Sequence, residues 1–335
     1  MAAAFSTTVT TSAWRAEVEE WVAAAVAERG VRVTAAPEQT RVRPWSTQLV
    51  VPTDHGRFWV KACCRASVFE PELHRLLAEL LPDAVDAPVA VETRRGWLLT
   101  ADRGATLGEA RTPGTPDWRD VLALWARVQH GLATHRDELL ATGLPDCSPA
   151  TVPGRFDDVL HALTSLPDDH PAALDQRTAV RLGRGRHFVE DAVATLVGTV
   201  GTVGTVGTVG AVGALQHGDL HPWNVFPVAG GLRVFDLGDA QWAHPLESLE
   251  VPRAVVEDAG LQWGDVEGAY RDVPGVADGA GVDDEAWRSL RAAAGVTHAV
   301  NRAWAWWRLL AEATDDEWAE WGEAPGRHLS RVAGG

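Results

Sequence analysis

The sequence predicts an α+β fold in two lobes: a small lobe with an antiparallel sheet and one key helix, then a larger, mainly helical lobe carrying a short strand hairpin. Three observations lead there. A chain of 335 residues exceeds what one hydrophobic core usually organises. Up to residue 101 the chain reads mostly as β-rich runs, whereas from Asp117 onward its apolar residues fall at helical spacing. Between them, 102–116 is rich in Gly, Pro, Thr and Arg, the composition of a connection.

Residues 1–30 form a helical cap. Over 12–29, Trp14, Val18, Trp21, Val22 and Val26 fall on one helix face, and Gly30 stands where a helix ends. Residues 31–101 make the small lobe. It contains VRVTA as a strand, two β-rich runs flanking the turn Asp54-His55-Gly56, and a strand pair meeting at Arg94-Arg95. Its helix spans 71–81, with Pro71 at the first position and Leu73, Leu76, Leu77 and Leu80 on one side. Residues 117–335 make the larger lobe, with helical spacing over 118–135, 155–166, 172–196 and 284–310. Within it, 197–213 repeats Val-Gly-Thr, and glycine at every third position without proline predicts a flexible surface loop with no function, not a collagen-like helix.

The balance of 46 acidic against 30 basic residues gives a formal charge of −16, which repels phosphate backbones and anionic membranes. A small cationic or neutral partner suits this charge; nucleic acid and membrane surfaces do not. No apolar run approaches the roughly 20 residues that cross a bilayer, and the N-terminus lacks the basic and apolar regions of a secretory signal. Cys63, Cys64 and Cys147 form neither an even disulfide set nor a CxxC pair, as in a reducing compartment. The expectation is a cytoplasmic monomer.

Chemistry concentrates in HGDLHPWN, residues 217–224. After it come a strand, the turn Ala229-Gly230-Gly231, and a second strand ending at Asp236. A hairpin centred on Gly230 sets Asn224 opposite Asp236, so that an amide oxygen and a carboxylate converge. Such oxygen donors suit Mg²⁺, whose remaining positions go to water and substrate phosphates. Asp219 lies on the loop leading into the same site, and one aspartate beside a metal held by Asn and Asp is what phosphoryl transfer requires. Two other readings compete, an Asx turn with no chemistry and a zinc site on His217-x-Asp219-x-His221. For the second, no other histidine-rich segment supplies ligands.

The order His217-Gly218-Asp219, Asn224, then Asp236-Leu237-Gly238-Asp239 resembles the aminoglycoside phosphotransferase-like family of small-molecule kinases, which share a two-lobed protein-kinase-like fold. That resemblance implies Asp219 as catalytic base, Asn224 and Asp236 as Mg²⁺ ligands, and His217 as a brace of the loop. It also implies that Lys61, ending Arg57-Phe-Trp-Val-Lys61, contacts the α and β phosphates of ATP. The carboxylate holding Lys61 is Glu70, with Glu72 as rival; Pro71 places Glu70 at the helix N-cap. In place of a glycine-rich loop stands Pro44-Trp45-Ser46-Thr47-Gln48, so Ser46 and Thr47 become phosphate contacts. Backbone groups around Ala101 read adenine. Gly218 stands where protein kinases carry the arginine that binds a phosphorylated segment, so small hydroxylated acceptors are favoured over proteins.

RPWSTQLVVPTDHGRFWVKA, EPELHRLLAEL, GWLLTADRG and HGDLHPWNVF together look like an actinobacterial branch of glucosamine kinases related to maltokinases. The implied acceptor is an aminosugar, glucosamine, phosphorylated at its 6-hydroxyl with ATP and Mg²⁺. Asp239 is placed to meet a protonated amine, or else to cap the next helix. Gln216 is placed for a sugar hydroxyl, and His221 for substrate or solvent. In Val300-Asn301-Arg302-Ala303-Trp304, Asn301 and Arg302 are candidate substrate contacts, and Trp304 is either core or a stacking surface.

Overall fold

Alternation of apolar residues along 46–63 builds the sheet that organises the first hundred residues. The computed structural model describes residues 3–202, 213–274 and 283–333. It groups into two units, Met1–Gly104 with Arg308–Trp321, and Ala105–Trp307 with Gly322–Gly335.

The first unit opens with helices α1 (Phe5–Val9) and α2 (Ser12–Ala27); the Thr11 side chain caps α2 by accepting the Trp14 N–H at 3.2 Å. There follow β1 (Glu38–Val42), β2 (Ser46–Thr53), β3 (Gly56–Cys63), helix α3 (Glu70–Leu80), β4 (Ala90–Glu92) and β5 (Trp97–Ala101). The strands form one antiparallel sheet in the order β1-β2-β3-β5-β4. Opposed residues in an antiparallel pair share a face, so Leu49 with Val60, Val51 with Phe58, and Val60 with Leu99 put one apolar face under α2. Trp14, Val18, Val22 and Val26 of α2 bury against it, each aliphatic side chain contributing about 1.5–3 kcal/mol. Trp14 and Trp21 meet Trp97 edge-on and tilted, at 6.0 and 5.6 Å. The opposite face carries Ser46, Gln48, Lys61, Cys63 and Leu98 by the same register.

Two local expectations are corrected. VRVTA forms no strand: Val33 makes an isolated bridge to Thr53, and Pro37 follows before the true edge strand, Glu38–Val42, begins. Glu70 is the first residue inside α3, not its N-cap, because Phe69 already has helical dihedrals and Pro71 fits the first turn.

The second unit contains α4 (Leu107–Ala110), α5 (Thr115–Gly131), α6 (Arg136–Ala141), α7 (Val152–Thr164), α8 (Gln176–Arg184) and α9 (Arg186–Thr202). It continues with β6 (Ala214–Gln216), β7 (Val225–Val228), β8 (Gly231–Val234), β9 (Gln241–Ala243), α10 (Glu250–Asp258), α11 (Gly264–Arg271) and α12 (Asp284–Leu309). After α12, α13 (Asp315–Trp321) lies in the first unit and α14 (Glu323–Leu329) in the second. Buried Trp118, Val121, Leu122 and Trp125 make α5 the core helix of the second unit. Helix α9 enters the Val-Gly-Thr repeat as far as Thr202, because a helix already anchored by buried Val189, Ala192 and Leu196 extends at one hydrogen bond per residue. The rest of the repeat, 203–212, lies outside the described residues.

Candidate active site

Strand β3 and helix α3 bring Lys61 and Glu70 together. Lys61 Nζ lies 2.7 Å from Glu70 Oε1 and 2.6 Å from Oε2, and the Glu70 side chain is wholly buried. Glu72 instead binds Arg75 at 2.6 Å, and that hydrogen bond holds its carboxyl below the usual range. A buried ion pair of this kind demands full pairing, since either charge alone in the interior costs several kcal/mol.

Ser46 lies on the Lys61 face, directly opposite Cys63. Its hydroxyl is buried and has no hydrogen-bond partner, so an incoming acceptor oxygen would satisfy it. Thr47 points to the other face: its hydroxyl donates to Arg41 O at 2.7 Å and accepts from Gln39 Nε2 at 2.7 Å. Two consecutive strand residues cannot share a face, which removes Thr47 from the phosphate contacts. Ala101 is exposed at the end of β5, opposite Phe58.

In the second unit, β6 delivers the chain into HGDLHPWN. Gly218 has φ +81°, and a Cβ there would stand 2.2 Å from Asp239 O, so only glycine fits. His217 is fully buried. Its Nδ1 accepts the Asp219 N–H at 3.4 Å, which leaves Nε2 to donate to Phe235 O at 3.0 Å, and burial keeps the ring neutral. Trp125 packs edge-on against the same ring at 5.4 Å. Asn224 closes the loop: Nδ2 donates to Asp219 O at 2.9 Å and to Asp219 Oδ2 at 3.4 Å. The Asp219 carboxylate is held at Oδ2 by Asn224 and His221, and its side chain is 40% exposed.

The hairpin register differs from expectation by one residue. Val225 pairs with Val234 and Val228 with Gly231 across a two-residue turn, so Asn224 lies opposite Phe235, whose N–H reaches Asn224 O at 3.2 Å. Asp236 comes one position later with φ +62°, the one non-glycine residue in the left-handed region among those described. That twist ends strand alternation where the aspartate stands. The Asp236 and Asp219 charges both act on His217 and His221, so the two carboxylates share one neighbourhood.

His221 Nε2 is 3.3 Å from Asp219 Oδ2. Although burial opposes charge on the ring, the Asp219 carboxylate raises His221 above its ordinary value; His221 and Arg302 in turn hold Asp219 below its own. The side-chain hydrogen bonds of Asn224 run from Nδ2, which leaves Oδ1, with the Asp236 carboxylate, as donors suited to Mg²⁺. Two protein oxygens fit an ion that keeps water and phosphate in its other positions. Among the described residues no group of three His, Cys, Asp or Glu side chains is disposed to hold a metal, which leaves the zinc reading without a ligand set.

Five expected substrate contacts are committed to partners within the protein. Gln216 is buried, with Nε2 donating to His244 O at 2.9 Å and Oε1 accepting from Ser248; it borders a void of about 10 Å³, too small for a sugar. Asn301 is fully buried and donates to Cys147 O and to Glu247 at 3.2 and 3.0 Å. Arg302 Nη1 and Asp239 Oδ1 pair at 2.7 Å, so Asp239 meets a guanidinium already. The Trp304 ring has the Arg155 guanidinium over it at 4.3 Å. Sequence periodicity carries no signal for partners 28 to 154 positions away.

A polar platform that the sequence reading missed supports the loop. Gln129 of α5 donates to Leu215 O at 2.8 Å and accepts from the buried Tyr270 hydroxyl at 2.5 Å, while Trp125 Nε1 donates to Ser248 Oγ at 2.8 Å. Buried glutamine and serine in helical sequence were the available signal, since such groups persist in a core only when paired.

The structure matches solved phosphotransferases over nearly the whole chain. A type I macrolide 2'-phosphotransferase superposes with a TM-score of 0.56 at 15% identity, over 94% of this chain and 97% of that one. A thermostable aminoglycoside phosphotransferase gives 0.53 at 13% identity over 93% and 99%; another of its variants was solved as a ternary complex with AMP-PNP and hygromycin B. A choline/ethanolamine kinase family protein from Mesorhizobium loti gives 0.51 at 14% identity over 90% and 94%.

The fold is that of these phosphotransferases.

No protein-family model and no curated protein matches the sequence, so the likeness is one of fold. Within this phosphotransferase fold, the Lys61–Glu70 pair belongs to the first unit and the loop of Asp219 and Asn224 to the second.

Proposed function

We propose that the protein is an ATP- and Mg²⁺-dependent small-molecule kinase whose acceptor is an aminosugar, glucosamine, phosphorylated at the 6-hydroxyl. The observation that carries the reading is Asp219, a partly exposed carboxylate held at Oδ2 by Asn224 and His221, next to Asp236. Mg²⁺, when bound at Asn224 Oδ1 and Asp236, would neutralise phosphate charge.

The chain's own residues divide the remaining work. Lys61, held by Glu70, neutralises the α and β phosphates, and the unpartnered Ser46 hydroxyl donates to a phosphate oxygen. Asp219 accepts a hydrogen bond from the acceptor hydroxyl and aligns its oxygen on the γ-phosphorus. As the new O–P bond forms and the bond to the ADP oxygen breaks, the hydroxyl proton passes to Asp219. Its depressed pKa keeps Asp219 ionised at neutral pH and makes it a weak base, which suits a transfer in which the proton leaves late.

The formal charge of −16 favours a cationic or neutral acceptor. Because Arg302 already occupies Asp239, an acceptor amine would compete with a guanidinium there. An aminoglycoside or amino-alcohol acceptor is the second reading, supported by the aminoglycoside and choline/ethanolamine kinases that share the fold. The test is ADP release from ATP and Mg²⁺ against glucosamine, glucose, N-acetylglucosamine, maltose, choline and aminoglycosides, with Asp219→Asn as blank. Preference for glucosamine over glucose is expected. Turnover confined to choline or aminoglycosides would establish the second reading, and ATP binding with no turnover on any acceptor would mark a silent nucleotide-binding module.

A further inference from the structure

We propose that Cys63 is a positioning residue of the nucleotide site, its thiol proton holding Glu70 in the orientation that grips Lys61; this rests on the kinase reading above. Lys61 and Cys63 are alternate residues of β3 and so project from the same face of the sheet. Glu70, the first residue of α3, receives both. Lys61 lies within 2.7 Å of each carboxylate oxygen, and Cys63 Sγ donates to Oε2 at 3.0 Å.

Lysine alone fixes a carboxylate poorly, because an ammonium group is a point charge on a flexible stem. When Lys61 shifts toward a phosphate, Oε2 keeps a donor that does not move with it. Cys63 itself is well fixed: its N–H donates to Gly96 O at 2.9 Å, and Gly96 approaches so closely, at φ +68°, that a Cβ there would be 3.1 Å from Cys63 O. The donor is also permanent. Burial and the Glu70 charge push the thiol well above its usual value, so the proton stays on sulfur. The same neutrality makes Cys63 a poor nucleophile, which argues for a structural hydrogen bond and against a redox role.

The test compares Cys63→Ala, which removes the donor, with Cys63→Ser, which keeps one, by calorimetric titration with ATP–Mg²⁺. Cys63→Ala is expected to weaken ATP binding about tenfold, the cost of one hydrogen bond to a charged group, and Cys63→Ser to recover most of that loss. The S–H stretching band in the infrared gives a readout independent of binding: the most strongly shifted band should vanish in Cys63→Ala and move in Glu70→Gln. Equal ATP affinity in wild type and Cys63→Ala, or an S–H band indifferent to Glu70→Gln, would overturn the proposal. Lys61→Met separates the two levels of inference. If neither wild type nor Lys61→Met binds ATP, the kinase reading fails; if wild type binds ATP, Lys61→Met loses it and Cys63→Ala keeps it, only the role of Cys63 fails.

Discussion

Glu247 offers the most direct check on the electrostatics of the second unit. Its carboxyl is 1% exposed and receives the Thr297 hydroxyl at 2.7 Å and the Asn301 amide at 3.0 Å, both from α12. Burial outweighs these bonds and pushes its pKa from 4.5 up to about 8. The folded protein therefore keeps a proton that the unfolded chain has lost, and stability falls as pH rises through that window. At 1.36 kcal/mol per unit over the interval from 4.5 to about 8, the loss is on the order of 5 kcal/mol. Glu247→Gln replaces a protonated acid by a neutral amide of the same shape. It should match wild type at pH 4.5 and exceed it by roughly that amount, on the order of 5 kcal/mol, at pH 8.5. The assay is urea unfolding of both proteins across pH. Titrations of other groups, including buried neutral His217 and His244, are common to both and cancel in the difference. A difference that stays flat between pH 4.5 and 8.5 would refute the reasoning.

Other substitutions probe the loop and its strain. Asp219→Asn should bind ATP–Mg²⁺ with unchanged affinity and lose turnover by about 10²–10⁴-fold, measured by calorimetry and ADP release. Gly218→Ala should unfold at lower temperature and lose turnover, because the methyl group would collide with Asp239 O and force a left-handed alanine costing about 1–2 kcal/mol before any clash. Asp236→Asn should keep its melting temperature, since asparagine tolerates the left-handed region as well as aspartate does, yet lose Mg²⁺-dependent turnover.

Much of this was legible in the sequence because it is local. Alternation from Ser46 to Cys63 places Lys61 on one face whatever the rest of the chain does, and the leucine stripe of 71–81 fixes the helix that carries Glu70. The spacing of Gly218, Asp219 and Asn224 likewise encodes a loop that closes on itself. Two kinds of information were not local. The hairpin register depends on whether the turn holds two residues or three, and Ala229-Gly230-Gly231 permits both. The fates of Gln216, Asp239, Asn301 and Trp304 depend on partners distant in sequence, Ser248, Arg302, Glu247 and Arg155, which no periodicity announces. Thr47 is the opposite case: strand alternation alone sufficed to separate it from Ser46.

The polar platform under the loop makes a last prediction about where rigidity comes from. The backbone turns left-handed at Gly218 in the loop and again at Asp236 just after the hairpin, and the second is not glycine. At Asp236 such strain, on the order of 1–3 kcal/mol, persists only where the surroundings over-determine the backbone. Here Gln129 is the centre of those surroundings, tying Leu215 O beside the loop to Ser248 and Tyr270. Gln129→Leu would leave Leu215 O and the Tyr270 hydroxyl short of a partner, at about 1–3 kcal/mol each. The Lys61–Glu70 pair belongs to the other unit. Turnover should therefore fall and the second unit should unfold at lower urea, while the pairing of Lys61 with Glu70, reported by the pH dependence of ATP affinity, stays as in wild type. A variant that lost stability yet kept full turnover would show that the loop holds its strained geometry without the platform.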